Sequence, residues 1–163
     1  MVRSSDPSVD LSDSEIKLPP TSINSDTNQC FTDASWREES LEARFGWIFV
    51  DHLNHAESHH QSVATNIGSP LLAEATAINL AIQNAADLGF KKLFIASDSQ
   101  MLVKALNGEP HPLEIHRIVF DISVLSLNFD EIYFSFVKRE NNSKDDALAK
   151  AALLSFQSVP VHI

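Results

Sequence analysis

The chain has 163 residues, 44% of them hydrophobic and 8% aromatic, which suits one globular domain with a real core and excludes a wholly disordered chain. Its net charge of −10 excludes a broadly basic nucleic-acid binder, and its single cysteine, Cys30, excludes an internal disulfide framework. No apolar run reaches the roughly 20 residues of a membrane helix, and the acidic N-terminus lacks the pattern of a secretory signal, so the expected setting is intracellular, nuclear or cytoplasmic, and not membrane-bound.

Residues 1–27 are rich in Ser, Asp, Pro and Thr and offer too little apolar surface to offset the entropy of ordering, so a disordered tail or linker is expected there. Residues 28–157 form the expected domain, and 158–163 a short C-terminal tail. Gln29 to Thr32 reads as the end of a first strand, with Cys30 a small apolar residue in it, followed by a polar loop from Ala34 to Ala43. Phe45 to Asp51 is a β-prone run, and His55 to Ala64 returns as a more polar third strand, giving an antiparallel meander. Ser69 and Pro70 open a long helix as N-cap and first-turn proline, and Gly89 suits its left-handed C-terminal cap. Lys92 to Ser97 is continuously apolar, as in a central strand covered on both faces. Ser99 to Leu106 is a short helix ending at Asn107-Gly108, and His111-Pro112 begins another to about Leu125. Ile132 to Val137 alternates as a half-buried strand, and Asn142 or Ser143 caps a last helix to about Phe156. The order β-β-β-α-β-α-α-β-α predicts an α/β fold with a mixed sheet, the first three strands in a meander and the later ones joined by helical crossovers.

Several carboxylates stand in unusual places. Thr76, Asn79, Gln83 and Asp87 recur every three or four residues and mark the expected solvent stripe of the long helix. At ~100° per residue Glu74 lies about 160° from Thr76, on the apolar side, where an ionised carboxylate needs a partner or a metal. The bland alternative is an acidic residue in the first turn, favoured by the helix dipole and bent back to water. Asp98 ends the apolar strand, where ligands gather in mixed α/β sheets, although an aspartate there also suits a helix N-cap. Asp33 ends the first strand, where an ordinary turn aspartate is the favoured alternative. Asp145 and Asp146 open the last helix, where acids are favoured by the dipole alone. Together these acids could hold hard cations such as Mg²⁺, two of which ~4 Å apart can activate water against a phosphodiester.

The matching segments are TDASW, FGWIFVD, SPLLAEATAINLAI, LFIASDSQMLVKALNG and FSFVKRENNSKDDALAKAAL, in that order across Gln29 to Phe156. Their order and wording resemble type 1 ribonuclease H, and especially the plant ribonuclease H-like domain related to non-LTR retroelement reverse transcriptases. The resemblance implies a ribonuclease H-like fold, a five-stranded mixed sheet flanked by helices, and a centre for two Mg²⁺ ions, with Mn²⁺ as a possible substitute. It implies Asp33, Glu74, Asp98 and Asp146 (rather than Asp145) as metal ligands, with Asp98 and Glu74 shared between the ions or nearest the nucleophile. It also implies that Ser99, Gln100 and Asn142 approach the nucleic acid, an RNA/DNA hybrid whose RNA strand is cut. Lys138 and Arg139 are the nearest basic pair for phosphate contact.

Three departures from the family stand out. Ala34 follows Asp33 where the family commonly has glycine, a mild expected obstruction. Phe136 stands ten residues before Asp146, where bacterial members carry a flexible-loop histidine. No dense basic protrusion is visible. A domesticated, weakly active nucleic-acid-binding or protein-interaction module is therefore the alternative function, with protein partners unspecified. His52, His55, His59 and His60 invite a zinc site, but without nearby cysteines they are expected to be exposed hairpin histidines. Trp47 is expected in the core, and Trp36, in the expected polar loop, is the better candidate to stack on a base.

Overall fold

A computed structural model describes residues 26–138. The expected tail as far as residue 25 and the expected last helix, with Arg139, Asn142 and Asp146, lie outside the described residues. The described elements are β1 (Asn28–Arg37), β2 (Glu42–Val50), β3 (Glu57–Ala64), α1 (Pro70–Asp87), β4 (Lys92–Ser97), α2 (Gln100–Leu106), a 3₁₀ turn (Leu113–Ile115), α3 (His116–Ser126) and β5 (Glu131–Phe136). They build one five-stranded sheet of order β3-β2-β1-β4-β5, antiparallel across β1–β2–β3 and parallel across β1–β4–β5.

The first two strands are longer than the sequence suggests. Ala34 to Arg37 stay in β1 and Glu42 to Arg44 in β2, so the expected loop shrinks to a turn over residues 38–41. The reason is an alternation hidden by polar residues: Ala34 and Trp36 point to the core side with Ala43 and Phe45, while Ser35, Arg37, Glu42 and Arg44 face outward. Trp36 packs against the core and its indole N–H donates to the Ile67 carbonyl at 2.7 Å, which removes it as a free stacking platform. Trp47 is buried as expected, donating from Nε1 to Asn84 Oδ1 at 3.0 Å.

The main core lies between one sheet face and α1. Cys30, Phe45, Trp47, Leu93, Ile95 and Phe134 from the strands meet Ala73, Ala77, Ile78, Ala81, Ile82 and Ala85 of the helix. The run of alanines lets the helix backbone come close to the sheet, and Ile78 and Ile82 fill the remaining volume. Cys30 is fully buried among them, and burial pushes its thiol pKa far up, keeping it protonated. The opposite sheet face carries a smaller buried cluster of Phe31, Val50, Ala96 and Val137.

The solvent stripe of α1 is narrower than the spacing predicts. Gln83 and Asp87 are exposed, but Thr76 and Asn79 are half-buried, and the Thr76 hydroxyl donates to the Leu72 carbonyl at 2.8 Å. At the helix start, Ser69 is the N-cap and its Oγ accepts from the Leu72 N–H at 3.1 Å, while Pro70 occupies the first turn and Gly89 (φ 83°) follows the C-terminus. Ser69 Oγ also donates to Glu114 Oε2 at 2.5 Å, tying the start of α1 to the 3₁₀ turn. Ser69→Ala is expected to cost about 1 kcal/mol, the worth of an N-cap, read as a lower midpoint in urea unfolding with an unchanged slope. An unchanged midpoint would mean that the cap is satisfied by water in its place.

Candidate metal centre

Asp33 and Asp98 are brought together by the parallel pairing of β1 with β4. Phe31 is level with Ala96, and each aspartate lies two residues further along. By alternation both leave the sheet on the face turned away from α1, at the end where β4 stops and the two strands separate. Glu74 comes from the second turn of α1, whose N-terminus sits over this end of the sheet. One carboxylate oxygen from each of Asp33, Glu74 and Asp98 lies within 4.8 Å of the others. Glu74 and Asp98 are half-buried.

The geometry settles the bland alternatives for these three acids. Glu74 is beyond the first turn and meets the two aspartates instead of bending away to water. Asp98 is not the N-cap of α2; that position is Ser99, whose Oγ accepts from the Leu102 N–H at 3.4 Å. Asp33 is not in a turn but inside β1, paired with Gly46 of β2. Ala34, expected to obstruct the site, is buried on the α1 side and points away from Asp33, so its methyl group leaves the face of the acidic cluster clear.

Of the expected substrate contacts, Ser99 is half-buried and its hydroxyl is used in capping, while Gln100 is exposed at the first position of α2. Lys138 is exposed and leaves the sheet at the same end as Asp98, since Ser97 pairs with Phe136. Phe136 is half-buried and packs on the core. The hairpin histidines do not converge. His52 Nδ1 is 3.0 Å from Asn28 Oδ1, His59 Nε2 is 2.8 Å from Glu57 Oε1, and His60 stacks on Trp47 with ring centroids 5.8 Å apart. Among the described residues, Asp33, Glu74 and Asp98 are the group of three or more potential metal ligands. Sequence reasoning missed two basic residues on the face of the acidic cluster, Arg37 and Arg44, which the strand alternation places on the same side as Asp33. Extending the period-two pattern of β2 back through Arg44 was the signal that could have found them.

Comparison with known proteins accords with this geometry. The family described as "Reverse transcriptase-like" matches residues 31–152. Ribonuclease HI of Halobacterium salinarum is 34% identical over 83 residues, 50% of this chain; the match spans only 42% of that relative's length. The crystal structure of RNase H1 from the same archaeon is 27% identical, covers 77% of this chain and 97% of its own, and superposes with a TM-score of 0.63. At the level of fold alone, LC11-RNase H1 in complex with an RNA/DNA hybrid, 19% identical, has a TM-score of 0.61 over 77% of this chain and 99% of its own. The N-terminal RNase H domain of a Mycobacterium tuberculosis protein, also 19% identical, has a TM-score of 0.60 over 77% and 98%. With the family match spanning most of its length and the sheet, helices and acidic cluster in these positions, the chain belongs to the reverse transcriptase-like family of ribonuclease H-like domains.

Proposed function

We propose that this chain is a divalent-metal-dependent endonuclease that hydrolyses the RNA strand of RNA/DNA hybrids inside the cell. The observation that carries this reading is the convergence of Asp33, Glu74 and Asp98 to within 4.8 Å, at the end of two parallel strands in a ribonuclease H-like sheet. An all-oxygen, carboxylate donor set fits Mg²⁺ or Mn²⁺ better than zinc or copper, which favour nitrogen and sulfur ligands. Asp33, Glu74 and Asp98 would hold two such ions, with Asp146, outside the described residues, as the fourth ligand. When bound, the ions supply an activated water and stabilise the leaving oxygen of the phosphodiester.

The protein's own part is placement. The two aspartates are fixed by the backbones of neighbouring strands, and Glu74 by a helix that is capped at Ser69 and packed on the sheet through its alanine face. That rigidity sets the spacing of the oxygens before the substrate arrives. Gln100 and Lys138, exposed at the same end of the sheet, are proposed to contact the nucleic-acid backbone together with Ser99, Arg139 and Asn142.

The test is cleavage of an end-labelled RNA/DNA hybrid in Mg²⁺ or Mn²⁺, beside Asp98→Asn and a single-stranded RNA control. Hybrid-specific cutting that vanishes in the variant is the expected result. Absence of cutting by folded protein in either metal would favour the binding-module reading, which the charge of −10 and the half-buried Phe136 support. A second readout needs no substrate. Metal that binds only the folded chain should raise the melting temperature, by the equivalent of about 2.7 kcal/mol at a hundred times its dissociation constant. A melting curve indifferent to millimolar Mg²⁺ would argue against an assembled site.

A further inference from the structure

Gly46 stands in the middle of β2, directly opposite Asp33 in the antiparallel register, on the sheet face that carries the acidic cluster. Antiparallel partners are about 5 Å apart, so Gly46 adjoins the metal centre. Glycine inside a strand is costly, by roughly 0.5–1 kcal/mol, because it loses the most freedom on folding and packs nothing. The fold does not require it here. Among the described residues, a Cβ at Gly46 would meet only the His60 carbonyl oxygen, at 3.9 Å, an ordinary contact. Its φ is not in the left-handed region, so any residue could adopt the backbone.

The space a side chain would fill belongs to a shallow groove of 460 Å³ running across β1, β2 and β3, lined by Asp33, Ser35, Arg44, Gly46 and Gln61 among others. Gln61 of β3 pairs with Gly46, so Asp33, Gly46 and Gln61 form one row across the sheet. Ser35 and Arg44 form the next row towards the β1–β2 turn. The groove therefore has an acidic end at Asp33, a floor left open at Gly46, the row Phe31, Ile48 and His59 on one side, and Ser35 and Arg44 on the other.

Resting on the function proposed above, we propose that a strand of the nucleic-acid substrate crosses this groove, its sugar edge passing over Gly46 and a phosphate meeting Arg44. Gly46 is then a clearance residue, absent of side chain because the substrate comes within van der Waals distance of the strand backbone. Arg44 supplies positive charge locally in a chain that is acidic as a whole, and its guanidinium matches a phosphate in fork geometry.

The experiment compares the full chain with Gly46→Ala, Gly46→Val and Arg44→Gln. It measures melting temperature with and without Mg²⁺ and the affinity for a fluorescent RNA/DNA hybrid, in Ca²⁺ and at several salt concentrations. The Gly46 variants should melt at or above the parent temperature and keep the Mg²⁺ shift, while hybrid affinity falls, more for Val than for Ala, by tenfold or more for Val. Arg44→Gln should weaken binding and lower the salt slope by about one. Parent-like affinity in folded Gly46→Val would overturn the clearance and leave the metal centre standing. Loss of folding in both Gly46 variants would also overturn it, by showing that the chain itself needs the glycine. A parent chain that fails to bind the hybrid at all would overturn the function proposed above and this inference together.

Discussion

Asp98→Asn is expected to reduce hybrid cleavage by at least about a thousandfold while raising the melting temperature in EDTA. The first effect follows from the work asked of the ions, several kcal/mol of transition-state stabilisation, at tenfold in rate per ~1.4 kcal/mol. An amide in place of the carboxylate removes one of the charges that would hold them. The second effect has the opposite sign. Three carboxylates whose oxygens lie within 4.8 Å repel one another when no cation is present, and removing one charge relieves that repulsion. Each kcal/mol relieved is worth about 4 °C in a domain of this size. The variant should also lose the Mg²⁺-induced rise. Residual cleavage near the parental rate would sink the role of Asp98. A melting temperature that drops in EDTA would show that Asp98 is held by hydrogen bonds the fold needs, rather than kept for a metal.

The largest effect on stability is expected at Ile78. This side chain is fully buried at the middle of α1, within the cluster that joins the helix to the sheet. Ile78→Ala should cost about 2–5 kcal/mol through lost transfer energy and the cavity left behind, out of a total stability of order 5–15 kcal/mol. The alanine-rich helix surface brings its backbone close to the strands, and small neighbours cannot reach in to refill the gap. Gln83→Ala on the exposed side of the same helix should change stability by less than about 0.5 kcal/mol, which separates loss of packing from loss of helix propensity. Urea unfolding of the two variants checks this. Comparable midpoints would mean that α1 is not the keel of the core.

The order of elements, the capped start of α1 and the buried β4 were legible because each has a local signal: Ser69-Pro70, Gly89 and an unbroken apolar run. The lengths of β1 and β2 were not. The residues that continue these strands, Ser35, Arg37, Glu42 and Arg44, are polar because they face outward, on the sheet side away from α1, and polarity there mimics a loop. The acidic residues could be suspected one by one, but their convergence depends on the parallel pairing of β1 with β4, which no local pattern encodes. Whether Asp98 or Ser99 caps α2 was likewise undecidable from residue type, since both are good caps; the strand register decides it by turning Asp98 towards Asp33. Ala34 was misread because its effect depends on which face its methyl group takes.

The parallel pairing of β1 with β4 also bears on how the molecule is made. Asp33 and Asp98 are 65 residues apart, and β1 sits at the centre of the sheet with β4 as its second neighbour. During synthesis the β1–β2–β3 meander can form from local contacts, but β1 then keeps one edge of unpaired backbone groups until β4 has been made. A growing chain on the ribosome therefore carries an open edge and an incomplete acidic cluster for much of its emergence. The Asp33–Glu74–Asp98 cluster is complete only after the message region encoding Asp98 has been translated.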